Sequence, residues 1–355
     1  MRKATGALLA IALLLGMFAP APAALERQAV TGLCDEIIAA ELPRLRGFQL
    51  PNGAITMYDI RNGGRSRLTP YFSCSAALGL LAGGDFEAAE QYIRWHFAHL
   101  EPDGTICDYT IRVEGDAITE SSTGDCDSVD AYAALFLILL DEYIKSGGDR
   151  TLIEARAQDI ASVVAALDSV CKQGLTYAKP GYEIYYLMDN CEAAAGYRAA
   201  ASLWNMLGRP WQGFWCRLKA WRVTLSVNWR LWNFSACNYD YALKNPSDLS
   251  KFYPDAAAQL FPVAFGLIRP GSIRAEQLYE GFLANHPQWL EAHNNGDYPW
   301  VILLRAVLAM GDIEIAVQYL RAVQALYIDG PASGRWYCQE SGLAVWAAVR
   351  LKEML

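Results

Sequence analysis

Acidic side chains recur in this chain at the points where long apolar segments begin. In the stretch from Gly124 to Asp149, three acids (Asp125, Asp127 and Asp130) precede a nearly continuous apolar run. That run is too long for a strand and rich in Ala and Leu, so it predicts a buried helix that starts close to the acids. The sequence therefore predicts carboxyl groups gathered at helix N-termini, where acid–base chemistry could take place.

Two of these acids have neighbours that would perturb their ionisation. Asp130 is followed by Ala-Tyr-Ala-Ala, and Asp189 is preceded by Tyr-Tyr-Leu-Met. Desolvation by such neighbours raises the pKa of a carboxyl group, which keeps a general acid protonated near neutral pH. For Asp125 and Asp297, a role at the helix N-terminus as a cap is the better explanation.

Glycoside hydrolysis is the reaction that two such carboxyl groups would suit. It needs one group to give a proton and a second, across the bond, to activate water or attack directly. Neighbouring helices could present Asp130 and Asp189 in this way. Asp108 and Glu340 are the next candidates as catalytic acids.

A recurring unit organises the whole chain into helix pairs. Each unit has an apolar helix, a tight turn and an amphipathic helix, and the apolar members start near residues 69, 127, 185, 253, 297 and 338. The helix at 25–45 lacks a predecessor and the helix at 338–351 lacks a follower, so together they complete a sixth pair. Short turns make paired helices antiparallel, and the amphipathic members cover the apolar ones. The pattern predicts an all-α double ring of helices.

This helix order, with acids at the inner helix starts, resembles the (α/α)6 toroid of the six-hairpin glycosidases over nearly all of residues 24–355. The segment Leu-Met-Asp-Asn-Cys-Glu around Asp189 is similar to the unsaturated uronyl hydrolases of that superfamily. The resemblance implies that Asp189 is the proton donor and that Asp130 or Asp127 is its partner. The chain departs from these hydrolases in lacking an obvious basic cluster beside the acids, since its candidates are scattered: Arg112, Lys179 and Arg198.

The two faces of such a ring would differ in composition. Long loops and inner-helix starts share one face, which is rich in Tyr and Trp, whereas the tight turns offer little beyond Phe86 and Trp211. Aromatic rings beside carboxyl groups suit sugars, whose C–H faces stack on rings; alternatively, the rings only pack the loops. The predicted substrate-binding residues are Tyr71, Tyr109, Tyr186, Glu192, Tyr253, Trp300, Trp336 and Glu340.

The N-terminal residues predict export. Arg2 and Lys3, an apolar run at 7–18 and Ala21-Pro22-Ala23 have the features of a secretory signal over residues 1–23, with an uncleaved anchor as the alternative. With 53% hydrophobic residues and no linker-like segment, residues 24–355 are predicted to form one domain. We expect a secreted or periplasmic monomer.

Charge and metal-ligand spacing narrow the set of partners. The formal net charge of −8 disfavours nucleic acid and, after signal cleavage, anionic membranes, which leaves an oligo- or polysaccharide as the expected partner. His96 and His99 have no companion ligands at zinc spacing and are expected to cover a helix surface. The acids at 125, 127 and 130 lack EF-hand spacing. No metal or cofactor is predicted.

Three further questions stay open at the level of sequence. Nine cysteines leave at least one thiol free, and their pairing cannot be deduced. A non-catalytic carbohydrate-binding or assembly protein on the same fold is an alternative function. A polysaccharide lyase is another, with a base and a uronate-neutralising group drawn from His293, Asn294, Asn295 and Tyr298.

Overall fold

The computed structural model describes residues 22–293, 298–330 and 335–355, with side chains from residue 26 onward. In chain order its helices are α1 (Pro22–Phe48), α2 (Pro70–Ala82), α3 (Phe86–Ala98), α4 (Val129–Lys145), α5 (Arg150–Ala155), α6 (Ala157–Ser169), α7 (Leu187–Met206), α8 (Pro210–Ser226), α9 (Phe261–Ala264), α10 (Ile273–Asn285), α11 (Leu304–Met310), α12 (Ile313–Val323) and α13 (Cys338–Met354). Short 3₁₀ helices at Pro287–Glu291 and Val301–Leu303 and π-helical turns at Val227–Leu231, Phe252–Ala256 and Gln324–Ile328 extend this set.

The helices form the predicted double ring, an (α/α)6 toroid. The inner ring runs through α2, α4, α7, α9, α11 and α13; each of these packs against the next, and α13 packs against α2 to close the circle. The intervening helices lie outside, with α1 against α13 as the sixth pair. The apolar inner segments are thereby covered on all sides, which is why their sequences lack a polar face.

Glycines set how closely the inner helices approach each other. A Cβ atom on Gly196 of α7 would lie 2.6 Å from the Cα of Ala134 in α4. A Cβ on Gly79 of α2 would lie 2.3 Å from the carbonyl oxygen of Gly342 in α13. Both distances are shorter than any side chain tolerates, so these two contacts of the inner ring require glycine.

Outer and inner helices begin differently. The outer helices α3, α5, α10 and α12 are capped by side chains that accept a backbone N–H, from Asp85, Asp149, Ser272 and Asp312. The residues that precede the inner helices α2, α4, α7 and α13 make no such side-chain bond. The first-turn amides of the inner helices are thus left for other partners at the loop face.

The fourth inner segment departs from the predicted continuous helix at 253–268. It consists of the π-helical turn at Phe252–Ala256 and the four-residue α9, separated by irregular turns. Pro254 and Pro262 lie within it, and each lacks the N–H that a continuous helix would need. Among the described residues, no helix has the length and apolar character needed to cross a bilayer.

Two of the long loops form an antiparallel sheet, which the predicted pattern of helix pairs did not include. Its strands are β1 (Gly64–Leu68), β2 (Tyr109–Glu114) and β3 (Ala117–Ser122), paired in the order β1-β2-β3. The alternation of buried and exposed residues along β2 is the strand signal that was missed. Two-residue strands form two further hairpins: β4 (Cys171–Lys172) with β5 (Leu175–Thr176), and β6 (Trp232–Asn233) with β7 (Asn238–Tyr239).

Candidate functional site

Three carboxyl groups meet where α4 and α7 begin. Asp130 lies in the first turn of α4, while Asp189 and Glu192 lie one turn apart on α7. The hydroxyl of Ser128, just before α4, is 2.8 Å from Asp130 Oδ1 and 3.2 Å from Asp189 Oδ2. Those two carboxyl oxygens are therefore at most about 6 Å apart.

One loop ties the two helix starts together. Val129 N–H donates to the carbonyl of Ala178 at 2.7 Å. The side chain of Asn190 accepts from Thr176 N–H and donates to the Thr176 carbonyl, both at 2.8 Å. With Gly196 allowing the close contact of α4 and α7, these bonds fix the spacing between the two aspartates.

The Ser128 bridge limits how many of these acids are ionised. A serine hydroxyl has one proton to donate, yet Ser128 contacts an oxygen of each aspartate. If both aspartates were ionised, the Ser128 hydroxyl could donate to only one of them. Its contact with the other would then bring two acceptor oxygens together. A proton on either aspartate removes the conflict. With the proton on Asp189, Asp189 donates to Ser128, which donates to Asp130.

The surroundings raise the pKa of all three carboxyl groups. Burial raises the pKa of Asp189 well above its usual value, and the charges of Asp130 and Glu192 raise it further. Burial raises the pKa of Glu192 to about 8, although the 2.6 Å hydrogen bond from Tyr71 and the charge of Arg305 oppose the rise. Burial likewise raises the pKa of Asp130, opposed by the bond from Ser128.

The three acids differ in access to solvent. Asp130 is fully buried; its Oδ1 also accepts from Ala131 N–H at 3.0 Å, and its Oδ2 has no hydrogen-bond partner. Glu192 is buried as well, whereas Asp189 is partly exposed. Asp127 is exposed beside Lys179, at 3.9 Å. Of the clustered acids, Asp189 is the one that reaches the mouth of the ring.

Aromatic side chains line that mouth as a continuous set, here named the aromatic belt. Its members are Tyr58, Tyr71, Phe72, Tyr253, Tyr298, Trp300 and Tyr337. Trp300 has its ring centroid 4.8 Å from the rings of both Tyr253 and Tyr298, and Phe72 stacks on Tyr337. The belt adjoins the carboxyl cluster through Tyr71, so rings and acids share one opening, which suits a sugar.

Tyr186 connects the belt to Asp189 from the other side. Burial raises its pKa, and its hydroxyl lies 3.0 Å from that of Tyr182. The charges of Asp189 and Tyr253 raise the pKa further, which places Tyr186 within electrostatic reach of both. The predicted residues Tyr71, Tyr186, Tyr253 and Trp300 are thus brought together around the mouth, and Glu192 is buried and bonded to Tyr71.

Glu340 lies on the far side of the ring, at the start of α13. It is fully buried, its Oε2 accepts from Val301 N–H at 2.9 Å, and its Oε1 accepts from the amide of Gln339 at 3.2 Å. Burial raises its pKa to about 7. These bonds hold the backbone at Trp300, a residue of the aromatic belt, in its left-handed conformation (φ 67°).

Two predicted sugar contacts lie away from the belt. Tyr109 is buried, with its ring edge-on to Trp95 and His99. Trp336 stacks on Tyr327 at 4.5 Å and donates its indole N–H to Glu41 at 2.9 Å. Tyr109 begins strand β2 and Trp336 lies just before α13, but the partners of both rings are in the outer layer, so both residues pack the fold.

The two histidines also differ from expectation. His96 was expected at a helix surface, but it is buried against the ring of Phe136, which lowers its pKa to about 3. His99 is partly exposed and contacts Glu120 at 2.6 Å. Asp125 is paired with Lys179 at 2.6 Å, so a cation already occupies the acidic loop considered for Ca²⁺. Residues 22–293, 298–330 and 335–355 contain no group of three or more potential metal ligands.

Sequence reasoning missed a basic cavity beside the acids. Arg65 and Arg67 of β1 line a cavity of about 560 Å³ together with Ser66, Thr110, Thr123 and Asp125. Arg67 donates to Asp108, which also accepts from the hydroxyl of Tyr132 at 2.8 Å. The arginines lie on alternate residues of strand β1, so their side chains point to the same face of the sheet. The predicted pattern of helix pairs did not include this strand, so the shared direction of the arginines was not foreseen. Asp108, a secondary catalytic candidate, is committed to this network.

Some predictions fall outside the described residues. They concern Asn294, Asn295 and Asp297, and residues 1–21 of the predicted signal. His293 is described: it is exposed, 3.7 Å from Glu291. Arg112 pairs with Glu114, and Arg198 donates to the carbonyl of Phe265, so neither adds to a basic group beside the acids.

Solved structures of similar fold are glycosidases. A glycosidase variant with one glutamate replaced by alanine superposes with a TM-score of 0.68 at 15% identity, covering 92% of this chain and 98% of that one. The GH63 mannosylglycerate hydrolase from Thermus thermophilus, in complex with glucose, gives 0.60 at 13% identity, covering 87% and 99%. A rhamnosidase from Klebsiella oxytoca with rhamnose bound gives 0.60 at 12%, covering 89% and 63%.

No protein-family model matches the chain, and no curated protein matches its sequence. At these identities the likeness concerns the fold alone, an (α/α)6 toroid.

Proposed function

We propose that this protein is an exported glycoside hydrolase that acts on an oligo- or polysaccharide, with Asp189 as the proton donor. The observation that carries the proposal is the Ser128 bridge, at 2.8 Å from Asp130 and 3.2 Å from Asp189, which favours a proton on one of the two acids. The pKa of Asp189, raised well above its usual value by burial, and its partial exposure favour Asp189 as that acid. A partly exposed acid with a raised pKa beside aromatic rings is what protonation of a glycosidic oxygen requires.

The partner carboxylate must come from another part of the mouth. Asp130 is unsuited, because the shared Ser128 hydroxyl holds it on the same side as Asp189. We assign the partner role to Glu340, which lies at an inner-helix start beneath the aromatic belt and has a pKa raised to about 7. Asp127, exposed beside Lys179, is the weaker candidate.

Variants of the similar glycosidase support this pairing. Two of those structures carry a glutamate-to-alanine replacement, and one of the two binds glucose. The two glutamates are separated along that chain by nearly the same number of residues as Asp189 and Glu340 are here. An aspartate in place of the first glutamate would keep the carboxyl group but shorten its reach.

The reaction would begin with a sugar seated on the aromatic belt. Asp189 gives its proton to the glycosidic oxygen as the bond breaks, while Glu340 draws a proton from a water molecule that attacks the anomeric carbon. Asp130 and Ser128 stay in the wall, and the charge of Asp130 favours the return of a proton to Asp189 after each turnover.

A non-catalytic sugar-binding protein is the second candidate. The observation that favours it is the burial of Glu340, whose two oxygens accept hydrogen bonds from Val301 and Gln339. A carboxylate engaged in this way holds the backbone of the belt in place without activating water.

Turnover measurements separate these functions. The protein is incubated with glucosides, mannosides, rhamnosides and plant or bacterial oligosaccharides, and reducing ends are measured beside the variants Asp189→Asn, Glu340→Gln and, as a matched control, Asp116→Asn in the exposed β2–β3 turn. We expect turnover that falls about a thousandfold in both site variants and is unchanged in the control.

Other outcomes identify other functions. Saturable sugar binding without reducing ends supports the binding protein. New absorbance from unsaturated sugar ends indicates a lyase. Turnover that survives Asp189→Asn contradicts the assigned proton donor.

A further inference from the structure

An apolar stripe covers the outer surface of α8 and the π-helical turn that follows it. Seven large side chains form this stripe: Trp211, Phe214, Trp215, Leu218, Trp221, Leu225 and Trp229. Trp211 is 73% exposed, Trp221 61% and Trp229 66%. Four exposed tryptophans on one helical surface are far from the usual composition of a solvated outer helix.

Helical spacing places the stripe opposite the protein core. The buried residues of this segment are small or β-branched: Gly213, Cys216, Ala220, Val223 and Val227. They face α7, against which α8 packs. At about 100° per residue, the seven stripe positions fall within about 120° of arc on the other side of the helix.

The same segment is the most basic part of an acidic protein. Residues 209–234 contain five cations (Arg209, Arg217, Lys219, Arg222 and Arg230) and no Asp or Glu, although the whole chain has a formal charge of −8. In the described parts of the chain, Lys219 is the one member of this group with a carboxylate partner, Asp168 at 2.5 Å. Arg222 lies within the stripe, and Arg217 and Lys219 flank it on either side.

We propose that the stripe binds the surface of an anionic lipid bilayer. Trp side chains favour the boundary between headgroups and acyl chains, and flanking Arg and Lys side chains can reach the lipid phosphates. The net charge of the protein predicts repulsion from such a surface. At physiological ionic strength, charges farther than about 8 Å from the bilayer are largely screened. The attraction is therefore determined by the nearby cations of α8 and not by the net charge of the whole protein.

A second copy of the chain fits the stripe less well. A two-fold dimer would place identical surfaces face to face, and its five cations on each side would repel one another. Anionic lipid supplies the complementary charge. The proposal does not depend on the glycosidase assignment, since no stripe residue takes part in the carboxyl cluster or the aromatic belt.

Vesicle flotation tests the proposal on the full chain. The vesicles contain either equal parts of phosphatidylglycerol and phosphatidylcholine or phosphatidylcholine alone. We expect binding to the anionic vesicles that weakens at high salt, and about a tenfold loss of affinity in both the triple variant Trp211→Ala/Trp215→Ala/Trp221→Ala and the pair Arg217→Glu/Arg222→Glu. Acrylamide should quench tryptophan fluorescence less in the bound wild type.

Matched controls replace exposed residues on other outer helices: Phe86→Ala with Ile273→Ala for apolar area, and Arg321→Glu for charge. These variants should bind as the wild type does, and thermal unfolding confirms that every variant is folded. Equal binding of the triple variant and the wild type, or equal binding to both vesicle types, would overturn the proposal. So would a wild-type dimer that the triple variant converts to a monomer, because the occupant would then be a second copy.

Discussion

Carboxyl groups lie at inner-helix starts on two sides of this ring, and they are held in different ways. At the starts of α4 and α7, Asp130 and Asp189 share one serine hydroxyl, and Glu192 adds a third acid. At the start of α13, Glu340 instead accepts a backbone N–H and a side-chain amide. A shared hydroxyl favours a proton on one of the two acids, whereas separate donors favour a fixed position of the carboxyl group.

The variant Glu192→Gln should sharpen this comparison through the pH dependence of stability. The pKa of Glu192 is raised to about 8 in the folded protein, so ionisation of the unfolded chain between about pH 4.5 and 8 destabilises the native state. The wild type should therefore lose free energy of unfolding as the pH rises through that window.

Glutamine in Glu192→Gln cannot ionise, so the variant does not lose free energy of unfolding in this way as the pH rises. The free energy of unfolding of Glu192→Gln, relative to wild type, should increase by a few kcal/mol from pH 5 to pH 8.5, as measured by urea unfolding. Glu276→Gln, on the exposed side of α10, serves as the control with no such trend. A relative stability that stays constant with pH would mean that Glu192 is ionised in the native state.

The variant Glu340→Gln tests the other side of the ring through its hydrogen bonds. The amide replaces one acceptor oxygen with a donor, which must then face either Val301 N–H or the amide of Gln339. We expect a loss of about 1–3 kcal/mol in the free energy of unfolding at neutral pH. Unchanged stability would show that these two hydrogen bonds do not hold Glu340, and the contrast between the two sides of the ring would disappear.

Removal of the bridge in Ser128→Ala tests the shared hydroxyl directly. Ser128 contacts both aspartates, so its loss should shift the alkaline limb of the pH–rate profile, which reports the proton on Asp189. Turnover at neutral pH should fall about tenfold through lost positioning. Ser128→Thr keeps the hydroxyl and should restore the profile, and identical profiles for all three proteins would show that the bridge has no role.

A smaller effect is expected from the oxidation of two cysteines beside the loop that carries Asp125 and Asp127. The thiols of Cys107 and Cys126 lie 2.9 Å apart, so an oxidising compartment would join them. Protein purified without reductant should then contain two fewer thiols than the nine of the reduced chain. Peptide mapping should identify the 107–126 link. Recovery of both thiols unmodified would indicate that the protein matures in a reducing environment.

Periodicity predicted the ring because each inner helix is apolar all round and each outer helix has a polar face. The meeting of Asp130 and Asp189 followed from adjacent helix starts. The difference in burial between Asp130 and Asp189 could not be read from the sequence, because it depends on how closely α4 and α7 approach each other at Gly196 and Ala134.

The predictions that differ from the structure also have physical explanations. Tyr109 begins strand β2 and Trp336 lies just before α13, and their rings turn towards outer-layer partners. Strands β1 to β3 belong to loops that a helical pattern does not predict, and they position Arg67 beside Asp108. Ser128 carried no motif at all; its role appears only when two helices bring two acids to one hydroxyl.

Infrared difference spectroscopy of wild type minus Asp189→Asn at pH 7 tests the central claim most directly, because the carbonyl stretch of a protonated carboxyl group is distinct from the bands of a carboxylate. The account predicts a protonated-carboxyl band in the wild type that is missing in the variant and disappears at alkaline pH. A carboxylate band in its place would show that Asp189 is ionised, and would contradict its role as the proton donor.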